Sequence, residues 1–463
     1  MEDGNAGWLM GSGGATAGDR REGGWYARPS MAPKTPPTRS PLNLRGRLSE
    51  PGDLALVAVC LAWAGILGAI LAHAVFVTND SLSNYVHVWY VADRLWGGHG
   101  IPLKMPVLGH GDALAFPYAF VPWLSAAIVR PVLGDWTVTL WLVLGFAGTA
   151  SATLWAFPEL RRGWWAATVL VNPILVEAPI LGQLPFLWAT AFLFGAVGCW
   201  RRERYAAAAI LLGVAQATHA PVLLPIVGVM VLARLPWEPK QRQLVGWYAV
   251  SLAIAAPAAA MVLASPVVED TSRAALVGNL FGTASLRACV VAAPFALAAL
   301  RKTRLAAFPA ALFVVALVIN VPMTPIRHNQ FGWGALGREP DRSLDSFLHS
   351  DRFVEGAMYR VARASDGKYG MYDVMRQGGV LDSEMFPESM ARRSFDSAGD
   401  YTAFLAQRKV DFVVITSGYD SLYRTNEHQL LEGLIGRREG GTCVEAWARD
   451  SAYDVYRVRR GSC

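Results

Sequence analysis

The chain has 463 residues, of which 53% are hydrophobic and only 17% charged, with a net charge of +6. A soluble chain of this length carries more charge and less apolar surface, so composition argues against that class. The basic residues cluster between apolar runs, which fits the positive-inside bias of membrane proteins better than a nucleic-acid surface, and 17 Trp suit interfacial belts.

Residues 1–52 are rich in Gly, Pro, Ser and Arg, lack apolar periodicity and are expected to form a disordered cytoplasmic tail. The first apolar run starts too late, and lacks the small-residue site, for a secretory signal peptide. It covers Leu54 to Val77, long enough to span a bilayer. Further runs cover about 116–133, 136–157, 163–182, 184–200, 205–234, 243–264, 282–300 and 305–321. The run 205–234 is too long for one span, and His219-Ala220-Pro221 divides it into two helices. The expected architecture is an all-α polytopic bundle of about ten transmembrane helices over 53–321, with an outer loop at 78–115.

The basic turns Arg201-Arg202-Glu203-Arg204, Lys240-Gln241-Arg242 and Arg301-Lys302-Thr303-Arg304 read as cytoplasmic, which places 322–463 outside. The basic tail and Arg161-Arg162 also read as cytoplasmic, yet three apolar runs separate them. One run is therefore misread or re-entrant, and 163–200, with its "NPILVEAPILGQLP", is the segment expected to be broken. Residues 322–463 read as a small extracytoplasmic α/β domain: Tyr401–Thr416 as helix then buried strand, "CVEAWARD" and "AYDVYRVR" as two more strands.

Polar residues at the membrane face carry the candidate chemistry. If 80–96 is helical, Leu82, Tyr85, Val86, Trp89, Ala92 and Trp96 share one face, and Asp80, Asn84, His87 and Arg94 the other. This is an interfacial amphipathic helix, its polar face towards water, or a solvated helix that merely seals the bundle. Glu177 and Gln183 lie among apolar residues and read either as functional or as packed against a broken helix. His219 is a ligand or a satisfied core residue. In "SPVVEDTSR", Glu269 and Asp270 read as an acid/base pair or Asp270 as a helix cap, and Arg273 as a phosphate ligand or a solvated charge. Walker loops, H-E-x-x-H and Cys-His clusters are missing from the sequence, so no cofactor or metal is expected. Of five cysteines, Cys60, Cys199 and Cys289 lie in apolar runs, whereas Cys443 and Cys463 are expected to pair in an oxidising compartment.

A first span ending at an acidic residue, followed by an outer loop with an amphipathic helix, resembles the GT-C glycosyltransferases. "FPYAFVPWLSAAIVRPVLGDW" (Phe116–Trp136) is similar to the second span of their bacterial mannosyl- and arabinosyltransferase branches. The "NP…GQLPFLW" stretch resembles the next segment of those enzymes, although His219-Ala220-Pro221 stands where family members often carry Lys-Pro. The resemblance covers about 54–235. It implies a multi-pass plasma-membrane enzyme taking mannose or arabinofuranose from a polyprenyl-phosphate donor to an envelope glycolipid, glycan or protein, with inversion. It implies Asp80 as general base, or as the group that orients the acceptor. Asn84, His87, Arg94, Gln183, His219 and Arg273, read from the residues themselves, are the candidate substrate-binding residues. A transporter or lipid flippase, and a non-catalytic envelope scaffold, are the rival classes.

Overall fold

A computed structural model describes residues 50–73, 81–109, 113–161, 178–179, 182–264, 344–362, 367–382, 394–416, 425–450 and 453–460. Asp80, Glu177, Glu269, Asp270, Arg273, Cys289 and Cys463 lie outside the described residues.

The N-terminal part is helical. The helices are α1 (Pro51–His73), α2 (Ser81–Trp96), α3 (Phe120–Leu133), α4 (Trp136–Ala156), α5 (Leu184–Arg201), α6 (Tyr205–Thr218), α7 (Ala220–Arg234) and α8 (Gln241–Ala264). A two-stranded ribbon, β1 (Lys104–Met105) and β2 (Ala113–Leu114), lies between α2 and α3. Among the described residues, α1, α4, α5 and α8 are long and apolar enough to cross a membrane, and α3, α6 and α7 are shorter apolar helices. The expected ten crossings are not supported. Most of 163–182, and the runs 282–300 and 305–321, lie outside the described residues. The break at His219 is present, with α6 ending at Thr218 and α7 beginning at Ala220.

Small and hydroxyl residues let these helices approach closely, as membrane helices require without a hydrophobic drive between them. A Cβ on Gly145 would sit 2.8 Å from the Trp188 ring, and one on Gly213 would sit 2.6 Å from Ile254. Thr149 donates across to the Leu187 carbonyl at 2.7 Å.

Named contacts fix the helix directions. Asp53 at the start of α1 pairs with Arg161 just past α4. Trp63 meets Phe146 midway, at 6.4 Å. Gly68 then faces Trp136, 3.7 Å from the Cβ it lacks. The two helices therefore run antiparallel. Arg201 bonds the Ala156 carbonyl at 2.6 Å and Lys240 pairs with Glu203 at 3.5 Å, so the basic turns at 201–204 and 240–242 gather at the same end as Asp53. At the opposite end, Ala119 N–H donates to the Thr218 carbonyl at 2.9 Å.

The C-terminal part adds α9 (Asp345–Leu348), β3 (Met358–Ala362), α10 (Gly367–Arg376), β4 (Val380–Leu381), α11 (Ala398–Gln407), β5 (Phe412–Thr416), α12 (Glu427–Leu434), β6 (Arg438–Glu439), β7 (Thr442–Arg449) and β8 (Tyr453–Arg460). Its six-stranded sheet has the order β4-β3-β5-β8-β7-β6. β3 pairs in parallel with β4 and β5, and the rest is antiparallel. The helix-then-strand reading of Tyr401–Thr416 corresponds to α11 and β5, and the two later runs to β7 and β8. Alternation does the placing here: Val413 and Ile415 join one apolar cluster, and Phe412 and Val414 the other. Ser397 caps α11 by accepting from Asp400 N–H at 3.1 Å.

Candidate functional site

α2 is where the sequence places its candidates, and the structure changes their setting. Two residues of the proposed polar face do not meet water: Asn84 is 1% exposed and His87 3%. The reason is that α2 is enclosed on both sides, packed against α3 of the bundle and α10 of the sheet domain. Trp89, on the face read as apolar, lies edge-on to Tyr372 of α10 at 6.3 Å. Trp96, at the end of the helix, is 61% exposed.

Buried amide and imidazole groups require partners, and here Trp123 of α3 organises them. Asn84 Nδ2 donates to the Gly182 carbonyl at 2.6 Å, while its Oδ1 accepts from Trp123 Nε1 at 2.9 Å. One turn on, the His87 ring stacks on Trp123 with centroids 4.0 Å apart and planes within 7°. His87 Nδ1 lies 2.8 Å from the Ala115 carbonyl, which accepts, so the proton sits on Nδ1. Burial pulls the His87 pKa down to about 4, partly offset by that bond, so the ring is neutral at pH 7. Trp123 also meets Tyr118, at 5.1 Å, and Tyr118 in turn stacks on His219 at 5.8 Å.

The strand of chain entering α5 closes this cluster. Gly182 adopts φ +69°, a left-handed conformation that glycine enters without strain, and so turns its carbonyl onto Asn84. Gln183 follows as the residue before α5, with its N–H on the Ala178 carbonyl at 2.8 Å. Asn84, His87, the Gly182–Gln183 turn and His219 are thus brought to one end of the bundle around Trp123 and Tyr118. Arg94 is not part of this cluster: its Nε donates to Tyr90 at 3.2 Å, about 10 Å further along the helix.

Two polar clusters in the sheet domain escaped sequence reading. In the first, Arg360 on β3 is 2% exposed and grips Glu427, 0% exposed, with Nη2–Oε2 at 2.9 Å. Tyr401 donates to Glu427 at 2.8 Å, and Asp382 lies 3.8 Å from Arg360 and 3.7 Å from Arg408. Arg360 and Arg408 both stack on Phe404, at 5.0 and 4.9 Å. The available signal was an Arg within the apolar strand "MYRVA". In the second, His428 and Glu432 stand one turn apart on α12 and face Asp454 of β8, their ligand atoms within 4.8 Å of one another. That spacing is within reach of a single cation, but Arg449 already supplies one, 2.6 Å from Glu432 and 3.9 Å from Asp454. Tyr456 bridges the group by bonding both Glu432 and His428.

Cys443, facing Arg459 on the neighbouring strand, is disulfide-bonded, whereas Cys60 and Cys199 are free thiols. The chain matches no family model and no curated protein sequence.

Proposed function

We propose that the protein is a multi-pass membrane glycosyltransferase of GT-C type. The basic end of the bundle lies in the cytoplasm, and the sheet domain outside. The observation that carries the reading is the convergence of Asn84, His87, Gly182–Gln183 and His219 at the end of the bundle that meets the sheet domain, with Asp80 one residue before α2 in the chain. The donor is a polyprenyl-phosphate sugar, mannose or arabinofuranose, and the acceptor an envelope glycolipid, glycan or protein.

In this reaction Asp80 takes the proton of an acceptor hydroxyl as its oxygen bonds to the anomeric carbon. The bond from that carbon to the phosphate oxygen breaks on the opposite face, and its electron pair leaves on the lipid phosphate, giving inversion. In this reading Gln183, His219 and Arg273 serve as donors to that phosphate. Asn84 and His87 take a different role from the one their sequence spacing suggested: buried and bonded, they hold the first two turns of α2 in position.

Purified protein incubated with radiolabelled polyprenyl-phosphate sugars and envelope lipid extract should transfer label to the acceptor. Folded protein that transfers none of these sugars would favour a scaffold, a reading to which the internal bonding of Asn84 and His87 also lends itself.

A further inference from the structure

The short apolar helix α3 has both ends at the same end of the bundle. Its first residue follows Ala119, bonded to Thr218 at the end of α6. Its last turn leads to Asp135, which accepts from Tyr372 of α10 at 2.9 Å. Tyr372 in turn packs on Tyr85 of α2 at 6.0 Å, and α2 is tied through Asn84 to Gly182 before α5.

Its surface divides sharply. Arg130 and Asp135 turn towards Tyr372 and are 18% and 20% exposed. Ile128 and Val132 face outwards, 49% and 87% exposed, and the line continues down the spanning helix α4 through Trp136, Leu140 and Leu144, at 48%, 41% and 43%. Ile128 and Val132 lie one turn apart on α3, and Trp136, Leu140 and Leu144 one turn apart on α4, so the exposed apolar residues of α3 lead in the chain, across the break at Gly134, to the exposed apolar stripe of a helix long and apolar enough to cross. Water is a poor occupant for Val132 at such exposure, and the continuity names a better one.

We infer that α3 and the first turn of α4 form an arm embedded in the outer leaflet, touching lipid through Ile128, Val132 and Trp136, and that α3 does not cross the membrane. The inference rests on the membrane reading and not on glycosyl transfer. Two crossings, α1 and α4, then separate the basic tail from Arg161, an even number, which agrees with the Asp53–Arg161 pair at one end. The run that does not cross is therefore Phe120–Leu133, outside the 163–200 stretch that the sequence suggested.

The test places a single NBD-labelled cysteine at Val132, Leu103 or Leu232 of the full chain in sealed vesicles, counting label against the chain without the added cysteine. Leu103, 71% exposed, precedes α3; Leu232, 68% exposed, lies near the basic end of α7. Impermeant dithionite should bleach position 132 together with 103, on the side opposite to 232, and lipids spin-labelled near the headgroup should quench 132 at least twofold more than 103. Bleaching of 132 together with 232 would mean that α3 crosses. Bleaching with 103 but no lipid quenching would mean that protein, such as a second copy, covers this face. Either result overturns the inference whether or not the protein transfers sugar, and a V132S variant that keeps its elution volume checks that the fold survives substitution there.

Discussion

Tyr372 of the sheet domain donates its phenolic hydrogen to Asp135, in the turn between α3 and α4, at 2.9 Å, and the same carboxylate oxygen accepts from Arg130 at 2.9 Å. A residue 237 positions away in sequence therefore supplies a second donor to the carboxylate of a turn in the bundle. Through its ring the same tyrosine covers α2, so one side chain joins sheet domain, outer helix and bundle. Desolvation first, and Asp135 second, raise the Tyr372 pKa, so it remains a donor throughout the ordinary pH range.

Tyr372→Phe keeps the ring and removes the bond. A hydrogen bond to a charged group contributes about 1.5–3 kcal/mol, so thermal unfolding in detergent should show a loss of that order. Because the folded pKa lies above the unfolded value, near 10, the contribution is complete below that pH and is lost only as pH rises through the folded pKa. An unchanged melting temperature at pH 7 would show that the domains hold together without this bond.

His87 makes a prediction of opposite sign. Its folded pKa is depressed to about 4, against about 6.5 unfolded. As pH falls below about 6.5 the unfolded chain binds a proton that the folded chain refuses until about pH 4, so stability declines across that window and then levels. The decline is at most about 3 kcal/mol from this one group. His87→Phe, which preserves the stack on Trp123, should flatten this part of the profile, read as denaturant midpoints at pH 7, 6, 5 and 4. A profile unaltered by the substitution would place the acid sensitivity elsewhere.

Glu427 and Arg360 are both within 2% of full burial, and each is the other's nearest charge partner. Removing one member of such a pair leaves the other charged and desolvated, which typically costs about 3–5 kcal/mol. Glu427→Gln should therefore destabilise the sheet domain strongly, visible as proteolysis within 344–460 while the helical part stays resistant. Replacing both, as Arg360→Met with Glu427→Leu, should recover most of the loss, because the polar pair is exchanged for apolar contacts. Failure of the double variant to recover would mean that Tyr401 and Asp382 need the pair as well.

Sequence periodicity disclosed the elements whose burial is local. The apolar runs at 136–157, 184–200 and 243–264 coincide with α4, α5 and α8 because a helix in lipid must be apolar along its length. The strands β5, β7 and β8 were legible from β-branched and aromatic density. Long-range partnership was not legible. The helical wheel of α2 separates Asn84 and His87 from the apolar side correctly, but it cannot show that α3 supplies Trp123 to receive them. Likewise the hydropathy of Phe120–Leu133 suits a span, and only Asp135 and Ala119 reveal that its ends share one end of the bundle.

Cys443 is disulfide-bonded, and Cys463 is its proposed partner, three residues beyond the end of β8, where Arg459 pairs with Cys443. Closing a loop of about 20 residues contributes roughly 3 kcal/mol. Cys463→Ser should lower stability by that order and leave one newly reactive thiol in denatured, unreduced protein. If thiol count is unchanged by Cys463→Ser, another cysteine is the partner.

Asp80→Asn separates the catalytic reading from the structural one. A chain leaving the membrane needs only a polar residue there, so for a scaffold the amide serves as well as the carboxylate. A general base needs a group that accepts the acceptor's proton, which Asn cannot do, and loss of such a base typically slows a reaction about 100-fold to 10,000-fold. The amide is nearly isosteric, so melting temperature should hold. Val138→Ala, in the buried face of α4, supplies the contrast: it should lower stability by about 1–3 kcal/mol and leave transfer by the remaining folded protein within a few-fold. Transfer rate and melting temperature are measured together on both variants with the same polyprenyl-phosphate sugar. Near wild-type transfer by folded Asp80→Asn would remove Asp80 as the base and pass the role to Glu269 or Asp270, the remaining acidic candidates of the outer loops.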